Sequence, residues 1–328
     1  MNKRTLGKTG FKISEIGLGT WQLGGRWGED YKEESAQGIL ESAIDKGISF
    51  IDTADAYNDG RSEESIGTFL KNQSQRVVVA TKCGRKISPH NNEGYTPEVL
   101  TRFVEDSLKR MNLETLDLIQ LHCPPQQVYY RPEIFETFDK LKKQGKILNL
   151  GVSVEKIEEA SKALEFPNVT TIQIIFNMFR MRPLDWFFDL AAKRNVGIIV
   201  RVPLASGLLS GKFNRQSSFS AGDHRNFNRE GQAFDKGETF SGVPYELGLD
   251  AVDRLKALFG QDVPLAQIAL RWILMHPQVS CVIPGASSRE QLESNAAASS
   301  LPPLTGPQMQ GVRKIYDDLI RNQVHQLW

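Results

Sequence analysis

The chain has 328 residues, 40% hydrophobic and 24% charged, which is enough apolar material for a large core and too much for a disordered chain. Forty Lys and Arg against thirty-nine Asp and Glu give a formal charge of +1, which excludes a general electrostatic pull toward nucleic acid or an anionic membrane surface. Cys83, Cys123 and Cys281 lie far apart with no CxxC pair, so neither a disulfide framework nor a zinc cluster is indicated, and a reducing, cytoplasmic setting is expected. The first ten residues lack the apolar stretch of a secretory signal, and no run of about eighteen apolar residues suggests a membrane span.

Residues 4–13 read as a hairpin closed by a glycine turn, placed to plug one end of the fold. Eight β-branched runs follow, at 16–18, 47–51, 76–81, 116–121, 147–152, 171–175, 197–202 and 279–283. Between them lie apolar stripes at helical spacing, such as Ala36, Ile39, Leu40, Ala43 and Ile44, or Leu100, Phe103, Val104, Leu108 and Met111, or Ile134, Phe135, Phe138 and Leu141. Thr96-Pro97 reads as a helix start, and Lys46-Gly47 and Gln144-Gly145 read as helix stops. Alternating strands and helices predict a (β/α)8 TIM barrel formed by residues 1–328 as one domain. The rival doubly wound sheet wants GxGxxG after an early strand, but residues 17–22 read GLGTWQ, with Gln22 where the third glycine belongs. After the seventh strand, residues 213–245 are rich in Asn, Ser, Gly and Arg with isolated Phe219, Phe227, Phe234 and Phe240, and predict a lid.

Barrel active sites lie where the strands end, and these strands end on polar groups. The second delivers Asp52, with Tyr57 five residues on; the third Lys82; the fourth His122; the fifth Ser153. Asp52 is placed to pair with Lys82, whose ammonium favours ionisation of the Tyr57 hydroxyl and makes it a proton donor near neutral pH. His122 is placed to hold a carbonyl oxygen by hydrogen bond. The plainer readings are a structural Asp52–Lys82 ion pair and a core histidine. Strand alternation should turn Cys83 and Cys123 away from their polar neighbours into packing, so no metal site is expected. His90, His224, His276 and His325 read as surface or packing residues, and Trp328 either folds over the rim or frays. Trp21, Trp27, Tyr57, Tyr129 and Tyr130 are candidates to line an apolar substrate pocket. Gly285 followed by Ser287-Ser288-Arg289 at a helix start offers amides, hydroxyls and a guanidinium to a phosphate.

Taken in order, residues 17–21, Asp52-Thr53-Ala54 with Tyr57, Lys82 after a Val-rich strand, Leu121-His122, residues 151–153, Gln173, residues 203–212 and residues 283–287 with Gln291 and Asn295 resemble the aldo-keto reductase superfamily, in its bacterial and potassium-channel-β-like branch. The resemblance spans nearly the whole chain. It implies an NADPH-dependent barrel reductase of aldehydes and ketones, with Asp52, Tyr57, Lys82 and His122 as catalytic tetrad. It also implies that Gly19, Thr20, Trp21 and Asp52 border the cofactor (NADPH/NADP+) and that Ser153 and Gln173 hold the nicotinamide amide. Pro203, Leu204, Ser206, Gly207, Leu208, Ser210 and Lys212 would then surround the pyrophosphate, and Gly285, Ser287, Arg289, Gln291 and Asn295 the adenosine end.

Three positions depart from the family pattern. Gly285 stands where many relatives have lysine, with Arg289 as the substitute, and Val154 stands where many have Asn. Arg201 replaces an aromatic residue that stacks on the nicotinamide. A guanidinium lying flat there would tolerate the neutral reduced ring and disfavour the positively charged oxidised one. Trp21 and the lid phenylalanines offer apolar surface with no evident carboxylate clamp, which suggests aldehydes, reactive ones included, as substrates and detoxification as a role, with a small-molecule carbonyl as partner and neither nucleic acid nor membrane. The alternatives are a barrel aldolase with Lys82 as Schiff base and a slow cofactor-sensing binding subunit. The sequence sets no oligomeric state and allows a monomer.

Overall fold

The computed structural model describes residues 1–25 and 29–328. Strands β1 (Lys3–Thr5) and β2 (Lys12–Ser14) form the antiparallel hairpin, Lys3 facing Ser14, and Gly10 adopts a φ of 80° at the turn. Leu6 and Ile13 are fully buried against Phe50, Val78, Ala80, Leu118, Ile199 and Cys281, so the hairpin plugs the barrel floor as expected. The fit is tight enough to need glycine: a Cβ on Gly7, whose φ is 49°, would lie 2.1 Å from the backbone nitrogen of Gly197.

Eight parallel strands form the barrel wall: β3 (Leu18–Gly19), β4 (Phe50–Asp52), β5 (Val78–Cys83), β6 (Leu116–His122), β7 (Ile147–Ser153), β8 (Val169–Ile175), β9 (Gly197–Arg201) and β10 (Val279–Val282). Each pairs with the next in chain order. The circle closes between β10 and β3 through two single bridges, Ile16 with Val282 and Gly19 with Gly285. The Gly17 amide donates to the Val282 carbonyl at 2.8 Å and the Gly19 amide to Pro284 at 3.1 Å. Here the GLG sequence finds its use, since a Cβ on Gly17 would meet the Phe50 ring at 2.9 Å and one on Gly19 the Ile283 carbonyl at 2.8 Å.

Helices α1 (Glu33–Asp45), α2 (Arg61–Lys71), α3 (Pro97–Met111), α4 (Pro132–Lys143), α5 (Ile157–Ala163) and α6 (Phe187–Lys193) follow the first six barrel strands in turn. The expected signals act as read. Thr96 Oγ1 caps the Val99 amide at the start of α3, and Gly47 and Gly145, both with positive φ, follow the ends of α1 and α4. Between β9 and β10 lie the lid, with its short α7 (His224–Phe227), then α8 (Tyr245–Phe259) and α9 (Leu265–Leu274). After β10 come α10 (Arg289–Ala297), α11 (Gly306–Ile315) and α12 (Arg321–Val324). Among the described residues no helix is long and apolar enough to cross a membrane.

Strand alternation sorts the side chains. Ile51, Val79, Ile119, Leu121, Ile172, Ile198 and Val200 join the main core, whereas Phe50, Val78, Ala80, Leu118 and Ile199 fill the lower barrel interior. Two residues further up the same inward rows stand Asp52, Lys82, Gln120 and Arg201. The lid is tied down: Trp328 is 6% exposed, its indole N–H donates to Asp235 Oδ1 at 2.8 Å, and the Arg180 guanidinium lies 4.0 Å from its ring centre. The chain's last side chain therefore folds onto the lid.

Candidate active site

Four inward side chains meet at the top of β4, β5, β6 and β8. Lys82 Nζ lies 2.5 Å from Asp52 Oδ1, donates to the Thr53 carbonyl at 2.7 Å and reaches the Tyr57 hydroxyl at 3.3 Å. Asp52 Oδ2 accepts from Gln173 Nε2 at 2.7 Å and from Gln120 Nε2 at 3.1 Å. Asp52 and Lys82 are at most 1% exposed. Tyr57 follows β4 at the head of a turn in which Asn58, Asp59 and Gly60 all take positive φ, and this folds the ring back over the barrel mouth. The His122 ring stands 6.0 Å from the Tyr57 ring, nearly perpendicular to it.

Burial works against the Lys82 ammonium, but Asp52 and then Tyr57 outweigh it and raise its pKa above the ordinary value. A Schiff-base lysine needs a neutral amine, so this environment opposes the aldolase alternative. For Tyr57 the balance differs from the expectation. Burial pushes the phenol up and Lys82 offsets that only in part, so the group holds its proton at neutral pH. His122 is pushed well down by burial and by the nearby cations Lys82, Arg85 and Arg201, which makes it a neutral imidazole. Its Nδ1 is buried without a hydrogen-bond partner among the described residues.

Beside these groups is a charged cluster that no motif announced. Arg201 Nη2 donates to Glu155 Oε2 at 2.7 Å and to the Val154 carbonyl at 3.0 Å, and Nη1 lies 3.8 Å from Glu238 Oε2. Glu238, from the lid, also takes Arg85 Nη2 at 3.1 Å. Glu155 answers the Arg201 charge on the spot, which weakens the repulsion of an oxidised nicotinamide expected from Arg201 alone. Cys123 Sγ lies 3.6 Å from both Arg201 Nη2 and Ser153 Oγ, so the thiol faces the rim rather than the packing side. Alternation fails there because β6 ends at His122 and Cys123 adopts a φ of 47°. Cys83 stays in the outer core as expected.

From Tyr57 and His122 a cavity of about 570 Å³ runs across the barrel mouth to Asn295. It is lined by the expected Gly19, Thr20, Trp21, Asp52, Gln173, Arg201, Pro203, Leu204, Ser206, Gly207, Ser210, Lys212, Gly285, Ser287, Gln291 and Asn295. Gln22, Glu238, Glu290 and Ser294 line it too and were not foreseen. Three of the expected cofactor contacts stay out of it. Leu208 is buried in the core, Ser153 lies behind Cys123, and Arg289 turns back over Gly38 of α1 with Glu41 at 3.7 Å. Tyr129 is fully buried and Tyr130 is 63% exposed, so neither forms a pocket wall, and Trp27 lies outside the described residues. Trp21 does form one, with the rings of His224 and Phe234 at 4.9 and 6.1 Å.

The middle of the groove suits a dinucleotide. Val202, Ala205, Ser206 and Gly207 all take positive φ, a costly conformation for the β-branched Val202, and the backbone they bend forms the groove wall. Gly285 at the far end leaves room where a Cβ would lie 3.2 Å from Gln22 Oε1. Ser287 and the α10 cap Ser288 stand beside it, with Asn295 Nδ2 on the Gly285 carbonyl at 3.1 Å.

Comparison with known proteins agrees with this geometry. Residues 15–317 match the model of the Aldo/keto reductase family. The chain is 33% identical over 301 residues to the aldo-keto reductase YhdN of Bacillus subtilis, covering 90% of this chain and 87% of that one. It is 28% identical over 325 residues to a probable voltage-gated potassium channel subunit beta of Arabidopsis thaliana, covering 94% of each. Among solved structures, the holo form of aldo-keto reductase AKR11C1 from Bacillus halodurans superposes with a TM-score of 0.78 at 29% identity, covering 99% of both chains. On the strength of that match over most of its length, the chain belongs to the aldo/keto reductase family.

Proposed function

We propose that this chain is an NADPH-dependent oxidoreductase that reduces aldehydes and ketones to alcohols, with Tyr57 as general acid. The observation that carries this reading is the Asp52–Lys82–Tyr57 line, with an uncharged His122 beside the phenol, at one end of a groove suited to a dinucleotide. The family uses NADPH. When bound, that cofactor supplies the hydride. The substrate's carbonyl oxygen sits between Tyr57 Oη and His122, whose neutral ring offers a hydrogen bond without adding charge. Tyr57 gives its proton to the developing alkoxide, and the Lys82 ammonium stabilises the phenolate left behind. Asp52, anchored by the Gln120 and Gln173 amides, keeps Lys82 protonated and in place. Trp21 and the lid shield the site from water.

The test is loss of NADPH absorbance over a panel of aldehydes and ketones, with NADH in parallel. Tyr57→Phe is expected to lower kcat by a hundredfold or more, on the order of the general-acid contribution. Retained activity in that variant, or a panel with no turnover at all, would refute the reading.

A further inference from the structure

The lid borders the groove, and its strongest anchor lies outside it. Arg225 and Glu238 of the lid line the cavity together with Ser206 and Gly207 of the wall that follows β9. We propose that Trp328 is a positioning residue for the cofactor: its side chain latches residues 235–242 against the groove wall, and lifting it is the step that lets a bound dinucleotide leave. This rests on the reductase reading and adds to it a control of release placed away from the chemistry.

Two polar links join this part of the lid to the wall. Ser206 Oγ donates to the Glu238 carbonyl at 3.0 Å and accepts from the Phe240 amide at 3.1 Å. Asn177 Nδ2 donates to the Val202 carbonyl at 2.9 Å and to Ser241 Oγ at 2.8 Å. Val202 and Ser206 on the wall, and Phe240 and Ser241 on the lid, all take positive φ. Each side of the contact therefore holds a backbone conformation that its own chain does not favour, and each depends on the other to keep it.

Trp328 fixes the outer side of the same segment. Its indole is 6% exposed and its N–H donates to Asp235 Oδ1 at 2.8 Å. The Arg180 guanidinium, 4.0 Å from the ring centre, also donates to the Ser241 carbonyl at 3.4 Å and to the Glu155 carbonyl at 3.3 Å. The lid is shaped for the ring: a Cβ on Gly237 would lie 2.8 Å from it, and one on Gly242 would strike it. The segment that carries Trp328 is tied to the barrel a few residues earlier. Val324 is fully buried, and His325 stands 2.7 Å from Asp185 Oδ2 and 2.8 Å from the Tyr316 hydroxyl. With one end on the barrel and the other on the lid, residues 324–328 form a strap.

The attachments differ in strength. Ser206 and Asn177 offer neutral hydrogen bonds, each of modest net worth. Trp328 combines burial of a large ring, a hydrogen bond to a carboxylate and a cation–π contact. Its withdrawal is therefore the costly part of opening this segment, and the hydrogen bonds that shape the groove wall loosen once it is gone.

The experiment loads the protein with NADPH, chases it with excess NADP+ and follows the loss of bound-NADPH fluorescence; a second chase exchanges the two forms. Trp328→Ala is expected to raise the release rate of both forms at least tenfold and by the same factor, because the latch is blind to the charge of the nicotinamide. Trp328→Phe keeps a ring between the glycines but has no N–H for Asp235, and its release rate should fall between those of Trp328→Ala and wild type. In Trp328→Ala, single-turnover hydride transfer from bound NADPH should change by a much smaller factor than release, and amide hydrogen exchange should quicken at 235–242 ahead of the barrel strands. An unchanged release rate in Trp328→Ala, or faster exchange spread evenly through the barrel, overturns the proposal and leaves the reductase reading intact. If the wild-type protein binds neither dinucleotide, or Tyr57→Phe is as active as wild type, the reductase reading falls and the proposal with it.

Discussion

The two ends of the barrel are built from the same strands and obey opposite rules. Climbing the inward rows, Phe50 is followed by Asp52, Val78 and Ala80 by Lys82, Leu118 by Gln120, and Ile199 by Arg201. The floor below is sealed with Leu6 and Ile13 and contributes apolar burial. The mouth above holds ionised groups away from water, at a cost in desolvation met only by their mutual pairing. Two residues of rise separate a region that stabilises the fold from one that uses that stability.

Lys82→Met breaks the upper side of this comparison most severely. It strips Asp52 of its cation, and turnover is expected to fall about a thousandfold, within the range for loss of acid–base machinery. Stability should fall by roughly 3–5 kcal/mol because a buried carboxylate is left unpaired. Single-turnover NADPH oxidation and urea denaturation check the two halves, and a stable, inactive variant would show that Asp52 is not buried as an ion. Leu6→Ala tests the floor. It should cost roughly 2–5 kcal/mol in denaturation without moving KM, and a changed KM would mean that the floor and mouth are not independent.

A third test concerns Asp55, fully buried beside the site with no hydrogen-bond partner on either carboxyl oxygen among the described residues. Burial, and then the charge of Glu63, push its pKa up from 3.8 to about 7. The folded chain therefore holds a proton that the unfolded chain releases, so the stabilising share is complete below about pH 4, is lost as pH rises to about 7, and stays lost above. Asp55→Asn should flatten that slope and gain stability at pH 8. Denaturation midpoints at pH 5, 6, 7 and 8 for both proteins decide it, and parallel curves would contradict the assignment.

The inward rows explain how much was legible in advance. Asp52, Lys82, His122 and Gln173 sit on regular strands with a period of two, so a residue's place in the run fixes the face it takes, and eight alternating units specify the barrel. Cys123 was misread because one left-handed residue at the strand end breaks the period. Arg85 and Glu155 each lie two residues past a strand and Glu238 lies in the lid, where no periodicity operates. Only their meeting in space gives them meaning, and a lid described by its phenylalanines gave no sign of the carboxyl it carries. Arg289 was placed correctly at the start of α10, but its side chain answers Glu41, a neighbour fixed by packing alone.

The join between β3 and β10 has a further consequence. Every other pair of adjacent barrel strands shares a ladder of two or more paired residues, but here the wall is fastened by a pair of isolated bridges, and one of them, Gly19 to Gly285, borders the groove. A long ligand in that groove lies against both free margins at once and acts as a clasp. Filling the groove should slow amide hydrogen exchange at Gly17, Gly19 and Val282 before any other part of the wall, since this stave-to-stave gap is where the cylinder breathes most easily.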